Sequence, residues 1–188
     1  MRLLLYFVVV LQLFIITTSD LSAQGPGLSF VLQTQLAESD DTLALAAGDL
    51  DGDGTVDLIV GNRGQNRIYF NGDHAAFATV VLFGGNKTTV AIAIGDLNHD
   101  GYPDIVTNNE DGLQIFLNDG TGNVVLASTI GGAATVGDAL RLGDLDGDGD
   151  YDIVVARAQA NSVIYRNNGQ GSICGGIATI ARLRTTTD

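Results

Sequence analysis

The sequence predicts an all-β fold: three four-stranded antiparallel blades of the β-propeller type, in a partial or open array, with acidic loops joining strand to strand. Three observations predict it. An acidic stretch, Gly48-Asp49-Leu50-Asp51-Gly52-Asp53-Gly54-Thr55-Val56-Asp57, returns in register from Gly95 and again from Gly143, so that Asp49, Asp96 and Asp144 stand 47 and 48 residues apart. A near-constant period of that length marks a repeat architecture. Each stretch runs into a β-branched apolar segment, Leu58-Ile59-Val60, Ile105-Val106-Thr107 or Ile153-Val154-Val155, which reads as a buried strand. The strand entering each loop has one bulky face (Leu43 and Leu45; Val90, Ile92 and Ile94; Leu140 and Leu142) and one alanine face (Ala44 and Ala46; Ala91 and Ala93; Ala139, broken by Arg141). Such a strand lies between two sheets, one of them approaching closely, as in radially packed blades.

The elements follow in chain order. Met1-Arg2 and the apolar run Leu3 to Ile16, interrupted by Gln12, read as a secretory signal over 1–23. The run is shorter than the roughly 20 residues a membrane-spanning helix needs, so no membrane span is expected after cleavage. Leu28 to Leu36 alternates and reads as one strand ahead of the repeats, which begin the domain proper within 24–188. The blades are expected at about 42–83, 89–129 and 137–171. In each, the strand after the loop leads to a third strand, at Arg67–Asn71, Leu113–Asn118 and Asn161–Asn167, which ends in a glycine-bearing turn. Fourth strands are expected at Phe77–Phe83 and Asn123–Thr129. The tail 172–188 does not repeat the pattern, and it reads either as a degenerate outer strand or as the point where a longer reading frame was cut.

The loops carry the chemistry. Carboxylates at offsets 1, 3, 5 and 9 from a leading glycine repel one another and raise each other's pKa values unless a cation lies among them. A hard divalent ion removes that cost. Calcium suits best, because it accepts six to eight oxygen ligands in flexible geometry. Gly54 supplies the sharp turn. An EF-hand loop requires an acidic ligand at its twelfth position, and Val60, Thr107 and Val155 stand there instead.

With these loops and the strands that flank them, the sequence from about Thr42 to about Gly171 resembles the FG-GAP/VCBS repeat family, the calcium-loop blades of integrin alpha-subunit propellers and of many secreted bacterial proteins. By position the resemblance implies side-chain ligands Asp49, Asp51, Asp53 and Asp57, then Asp96, Asn98, Asp100 and Asp104, then Asp144, Asp146, Asp148 and Asp152. The carbonyls of Thr55, Tyr102 and Asp150 would complete the shells of about three calcium ions. Site two is expected to be the weakest, since Asn98 replaces a carboxylate. The Asp150 side chain is expected to face solvent, and His99 to be an ordinary loop residue. The family's propellers usually close with seven blades, so three leave two open sheet edges, and further blades, a homo-oligomer or a short open array remain open alternatives.

Composition narrows the function. Net charge is −13, but the three loops hold 12 of the 22 acidic residues. Nine Lys and Arg, with no patch on the repeats, argue against nucleic-acid binding. Cys174 is alone, and with two histidines, His74 and His99, no nucleophile and base pair suggests itself. Asn86-Lys87-Thr88 matches an N-glycosylation acceptor. The resemblance implies a secreted, non-enzymatic adhesion or ligand-binding module with structural calcium. Its extracellular protein or carbohydrate ligand is not readable from sequence. An accessory propeller of a secreted hydrolase or lyase, and a self-assembling structural repeat, are the alternatives.

Overall fold

The computed structural model of the chain describes residues 41–72, 77–131, 137–158 and 160–169, together with the backbone of a strand at 173–180. The expected signal segment and the strand Leu28–Leu36 lie outside the described residues, as does the side chain of Cys174. Among the described residues every regular element is a strand, and no helix is long and apolar enough to cross a membrane.

Ten strands follow the loops: β1 (Thr42–Gly48), β2 (Asp57–Phe70), β3 (Thr79–Gly95), β4 (Asp104–Asn109), β5 (Gly112–Asn118), β6 (Val124–Gly131), β7 (Ala139–Gly143), β8 (Asp152–Ala156), β9 (Ser162–Asn167) and β10 (Ile173–Ile180). All pairings are antiparallel, in the orders β1-β2-β3-β4-β5-β6 and β10-β9-β8-β7.

Two strands are longer than expected, and both divide by pairing. A straight run of 14 residues such as β2 would extend about 46 Å, yet the N–H of Asn71 donates to Asp57 Oδ1 at 2.9 Å. The chain therefore doubles back within β2. The reversal falls at Arg63-Gly64, where Gly64 has φ 127° and Asn62 closes the turn: its N–H donates to Asn66 Oδ1 (3.1 Å) and its amide to the carbonyl of Gln65 (2.8 Å). β3 is the expected outer strand of the first repeat continued without a break into the inner strand of the second. Residues up to Thr88 pair with β2, and Thr89 onward pairs with β4. The expected outer strand at 123–129 is β6. In the third repeat β10 pairs with β9, so the tail contributes an outer strand beyond the expected boundary at 171.

The core lies between repeats. Leu50, Ile59, Ile68 and Phe83 of the first face Ile92, Ile105 and Phe116 of the second, with the Phe83 and Phe116 rings edge to face at 5.3 Å. Leu97, Val106, Leu113 and Ile115 of the second face Leu140, Ile153, Val155, Val163 and Tyr165 of the third. The two-faced strands sit as expected in β3, whose isoleucines face backward and whose Ala91 and Ala93 face forward. The approach on the small face is close: a methyl at Gly48 would lie 2.4 Å from Ile94 Cδ1. Among the described residues only the alanine face of β1 is covered, and Leu43 and Leu45 are 43% and 61% exposed. The same asymmetry marks the loops. Leu50 and Leu97 are buried by the repeat that follows each, whereas Leu145 at the same position is 47% exposed.

Between the first two repeats runs a buried polar ladder. Asn66 donates to Thr89 Oγ1 (2.9 Å), and that hydroxyl donates to Asn109 Oδ1 (2.7 Å). These bonds satisfy the polar groups that the repeat junction removes from water.

Candidate metal centres

Each loop leaves one strand and closes on its neighbour, so its two ends are opposite one another in the ladder: Gly48 with Asp57, Gly95 with Asp104 and Gly143 with Asp152. This places the last aspartate of every loop at its buried base. There both carboxylate oxygens accept backbone N–H groups. Asp57 takes those of Leu50 (2.8 Å) and Asn71 (2.9 Å), Asp104 those of Leu97 and Asn118 (both 2.9 Å), and Asp152 those of Leu145 (3.3 Å) and Asn167 (3.1 Å).

The first aspartate holds the turn from the other end. Asp49 accepts from Gly52 (2.8 Å) and Gly54 (2.9 Å), and Asp144 from Gly147 (2.7 Å) and Gly149 (3.1 Å). Asp96 accepts from Gly101 (2.9 Å) through one oxygen, while its other oxygen, Oδ1, is buried with no hydrogen-bond partner among the described residues. The sixth-position glycines Gly54, Gly101 and Gly149 have φ of 86°, 90° and 95°, the left-handed region that makes glycine the least strained choice. The fifth-position aspartates brace the next residue: Asp53 Oδ1 accepts the N–H and hydroxyl of Thr55 (both 2.7 Å), and Asp100 and Asp148 accept the N–H of Tyr102 and Asp150.

Not all expected ligands converge. In loop 1 carboxylate oxygens of Asp49, Asp51 and Asp57 lie within 4.8 Å of one another, and in loop 3 those of Asp144, Asp146 and Asp148 do so. Asp53 and Asp152 are not in these groups, Asp53 being bound to Thr55. In loop 2 Asn98 Oδ1 accepts the N–H of Asp100 (3.2 Å) and its amide donates to Asp100 Oδ2 (2.8 Å). Burial, opposed by the Asp53 N–H and aided by Asp57, Asp53 and Asp49, raises the pKa of Asp51. Burial, opposed by the Asn118 and Leu97 N–H groups and aided by Asp100 and Asp96, raises that of Asp104. Asp53 is lowered by the Thr55 hydroxyl and N–H.

Loops 1 and 2 thus fit a divalent cation: three converging carboxylates in one, a buried carboxylate oxygen lacking any donor in the other. Which residues would hold it follows from position: Asp49, Asp51 and Asp57 with Asp53 beside them, and Asp96, Asn98, Asp100 and Asp104.

Loop 3 differs. Arg166 Nη1 bonds Asp146 Oδ2 at 2.9 Å and also Asp152 Oδ2, so a guanidinium stands among the expected ligands. Sequence reasoning passed over Arg166, although a signal was present. It occupies the position immediately before the turn asparagine, where the other repeats carry Phe70 and Leu117.

Two further corrections arise at the loop junctions. The Asp150 side chain does not face solvent: it is 15% exposed and is bonded to His99 Nε2 of loop 2. His99, with φ 59°, is accordingly a bridge between loops, its pKa raised by the Asp150 hydrogen bond against partial desolvation. The turn asparagines are also more than turn formers. Asn118 donates to the carbonyls of Leu50 in loop 1 (2.8 Å) and Pro103 in loop 2 (3.1 Å), and Asn167 donates to Leu97 of loop 2 (2.8 Å). Each ties a loop to the one before it. Beside loop 1 an open groove of about 580 Å³ is lined by Asp51, Phe70, Thr79, Val81, Thr121 and Asn123.

Fold and loops together define an all-β repeat protein whose antiparallel strands are joined by acidic loops. The profile described as FG-GAP-like repeat matches residues 49–107 and 100–155. The chain belongs to that family, and the matches cover 107 of its 188 residues (49 through 155). No curated protein is a significant match to the chain.

Proposed function

We propose that the chain is a secreted, non-enzymatic binding module, built of three four-stranded blades that calcium braces at their strand-to-strand loops. The blade count follows from dividing β2 at its reversal and β3 at its change of partner, which gives every repeat an inner strand, a hairpin and an outer strand. The single observation that carries the calcium reading is the buried, partnerless Asp96 Oδ1, backed by the converging carboxylates of loop 1. A bound ion supplies the positive charge that offsets their mutual repulsion, and it favours the folded form by mass action. The backbone N–H groups on Asp49, Asp57, Asp96 and Asp104 hold these loops in shape, so the ion's role is structural. Binding of an extracellular protein or carbohydrate then falls to the loop edges, and the groove beside loop 1 offers Phe70 and Val81 next to the polar groups of Thr79, Thr121 and Asn123.

Asp53→Ala tests the calcium reading, because Asp53 is exposed and bonds only within its own loop. Thermal unfolding is expected to show a clear loss of stability in calcium and little change in chelator. Equal losses under both conditions would mean that Asp53 acts through loop hydrogen bonds and not through an ion.

A further inference from the structure

Resting on the calcium reading above, we propose that Arg166, a cation tethered to β9, occupies two of the ligand carboxylates of loop 3, and that loop 3 is therefore the weakest calcium site of the three. The three loops share one ligand pattern, and what distinguishes the third is this side chain. A single nitrogen, Nη1, bridges Asp146 Oδ2 and Asp152 Oδ2, the second and last of the four side-chain ligand positions. The base of Arg166 is fixed: Asn167, the next residue, donates its N–H to the other oxygen of the same Asp152. The Arg166 side chain is 33% exposed, and its two partners differ: Asp146 stands at the loop's exposed rim, while Asp152 is fully buried, so the contact with Asp152 is not a solvated surface pair.

The chemistry sets the consequence. Arginine stays protonated at any ordinary pH and presents fixed donors suited to carboxylates. A calcium ion entering loop 3 must first break both bonds, and a guanidinium left nearby repels it. Phe70 and Leu117, at the same position in the other repeats, can do neither. Loop 3 also gives Asp150 to His99, so two of its five carboxylates are paired with Arg166 and a third with the imidazole. Charge alone does not set the order, since Asn98 leaves loop 2 with three ligand carboxylates and Arg166 offsets one of the four in loop 3; loop 3 falls below loop 2 because its guanidinium must be displaced before an ion can enter.

The test is a calcium titration of the isotopically labelled chain, following the amide resonances of Gly54, Gly101 and Gly149, one in each loop. In the parent, Gly149 is expected to require about tenfold or more calcium than Gly54, a coupling within the usual range for linked sites. Arg166→Leu, which installs the residue of the second repeat, should bring the Gly149 midpoint down by a similar factor. Arg166→Gln should do the same while keeping a polar group, and it serves if the leucine variant does not fold. Gly149 shifting together with Gly54 in the parent, or an unchanged or higher midpoint in the folded variant, overturns the proposal. If neither Gly54 nor Gly101 responds, the calcium reading itself fails and this inference with it.

Discussion

Calcium is expected to raise the unfolding free energy of this chain by about 5 kcal/mol at concentrations near 100 times the dissociation constant. Each of two independent sites contributes about 2.7 kcal/mol at that saturation, and loops 1 and 2 are the two sites proposed. Extracellular calcium modules bind at about 10⁻⁴ to 10⁻³ M, so roughly 10 mM calcium or more is the relevant range. The effect is large against the 5–15 kcal/mol that keeps a typical domain folded. Its origin is local. Without an ion, Asp51 and Asp104 sit partly desolvated beside other carboxylates, which disfavours their charged forms. Denaturant unfolding in calcium and in chelator measures the difference, and coincident curves would remove the ion from the account of stability.

The second large effect separates two kinds of aspartate. Asp104 is fully buried and accepts the N–H groups of Leu97 and Asn118. In Asp104→Ala both donors lose their acceptor in a site closed to water, at about 1–3 kcal/mol each. Relief of the desolvated carboxylate offsets part of this, and a net loss of about 3 kcal/mol is expected even in chelator. Asp104→Asn retains one acceptor and should fall between alanine and the parent. Asp53→Ala, in contrast, should be nearly silent without calcium. Comparable chelator stabilities for Asp104→Ala and the parent would show that the loop base does not depend on its carboxylate.

These two aspartates look alike in sequence. Both belong to one short acidic pattern, and that pattern, with the β-branched run after it and the alternating bulky and alanine residues before it, predicts the loops, the strands that flank them and the two-faced inner strand of β3, because each signal lies within a dozen residues. What it could not rank was burial, since the donors to Asp104 include Asn118, 14 residues on. The same limit hid the other features. Arg166 reaches Asp152 across a strand pair, and His99 meets Asp150 from 51 residues away. β2 and β3 were longer than expected because strand signals mark local extension, while the places where those strands change partner are fixed by pairing. The turn asparagines read correctly as turn residues, yet their amide bonds to the preceding loop depend on how successive repeats stack. β10 stood only as one alternative for the tail, a degenerate outer strand, because Ile173-Cys174-Gly175-Gly176 lacks the alternation of earlier outer strands, and its pairing with β9 supplies what its sequence does not signal.

Whether the acidic loops take calcium as a brace is decided by calorimetric titration of the metal-free chain with calcium. Two ions are expected to bind at about 10⁻⁴ to 10⁻³ M, with a third taken up only at higher concentration. A titration with no saturable heat, on a chain whose stability is the same with and without calcium, would contradict calcium's role as a brace.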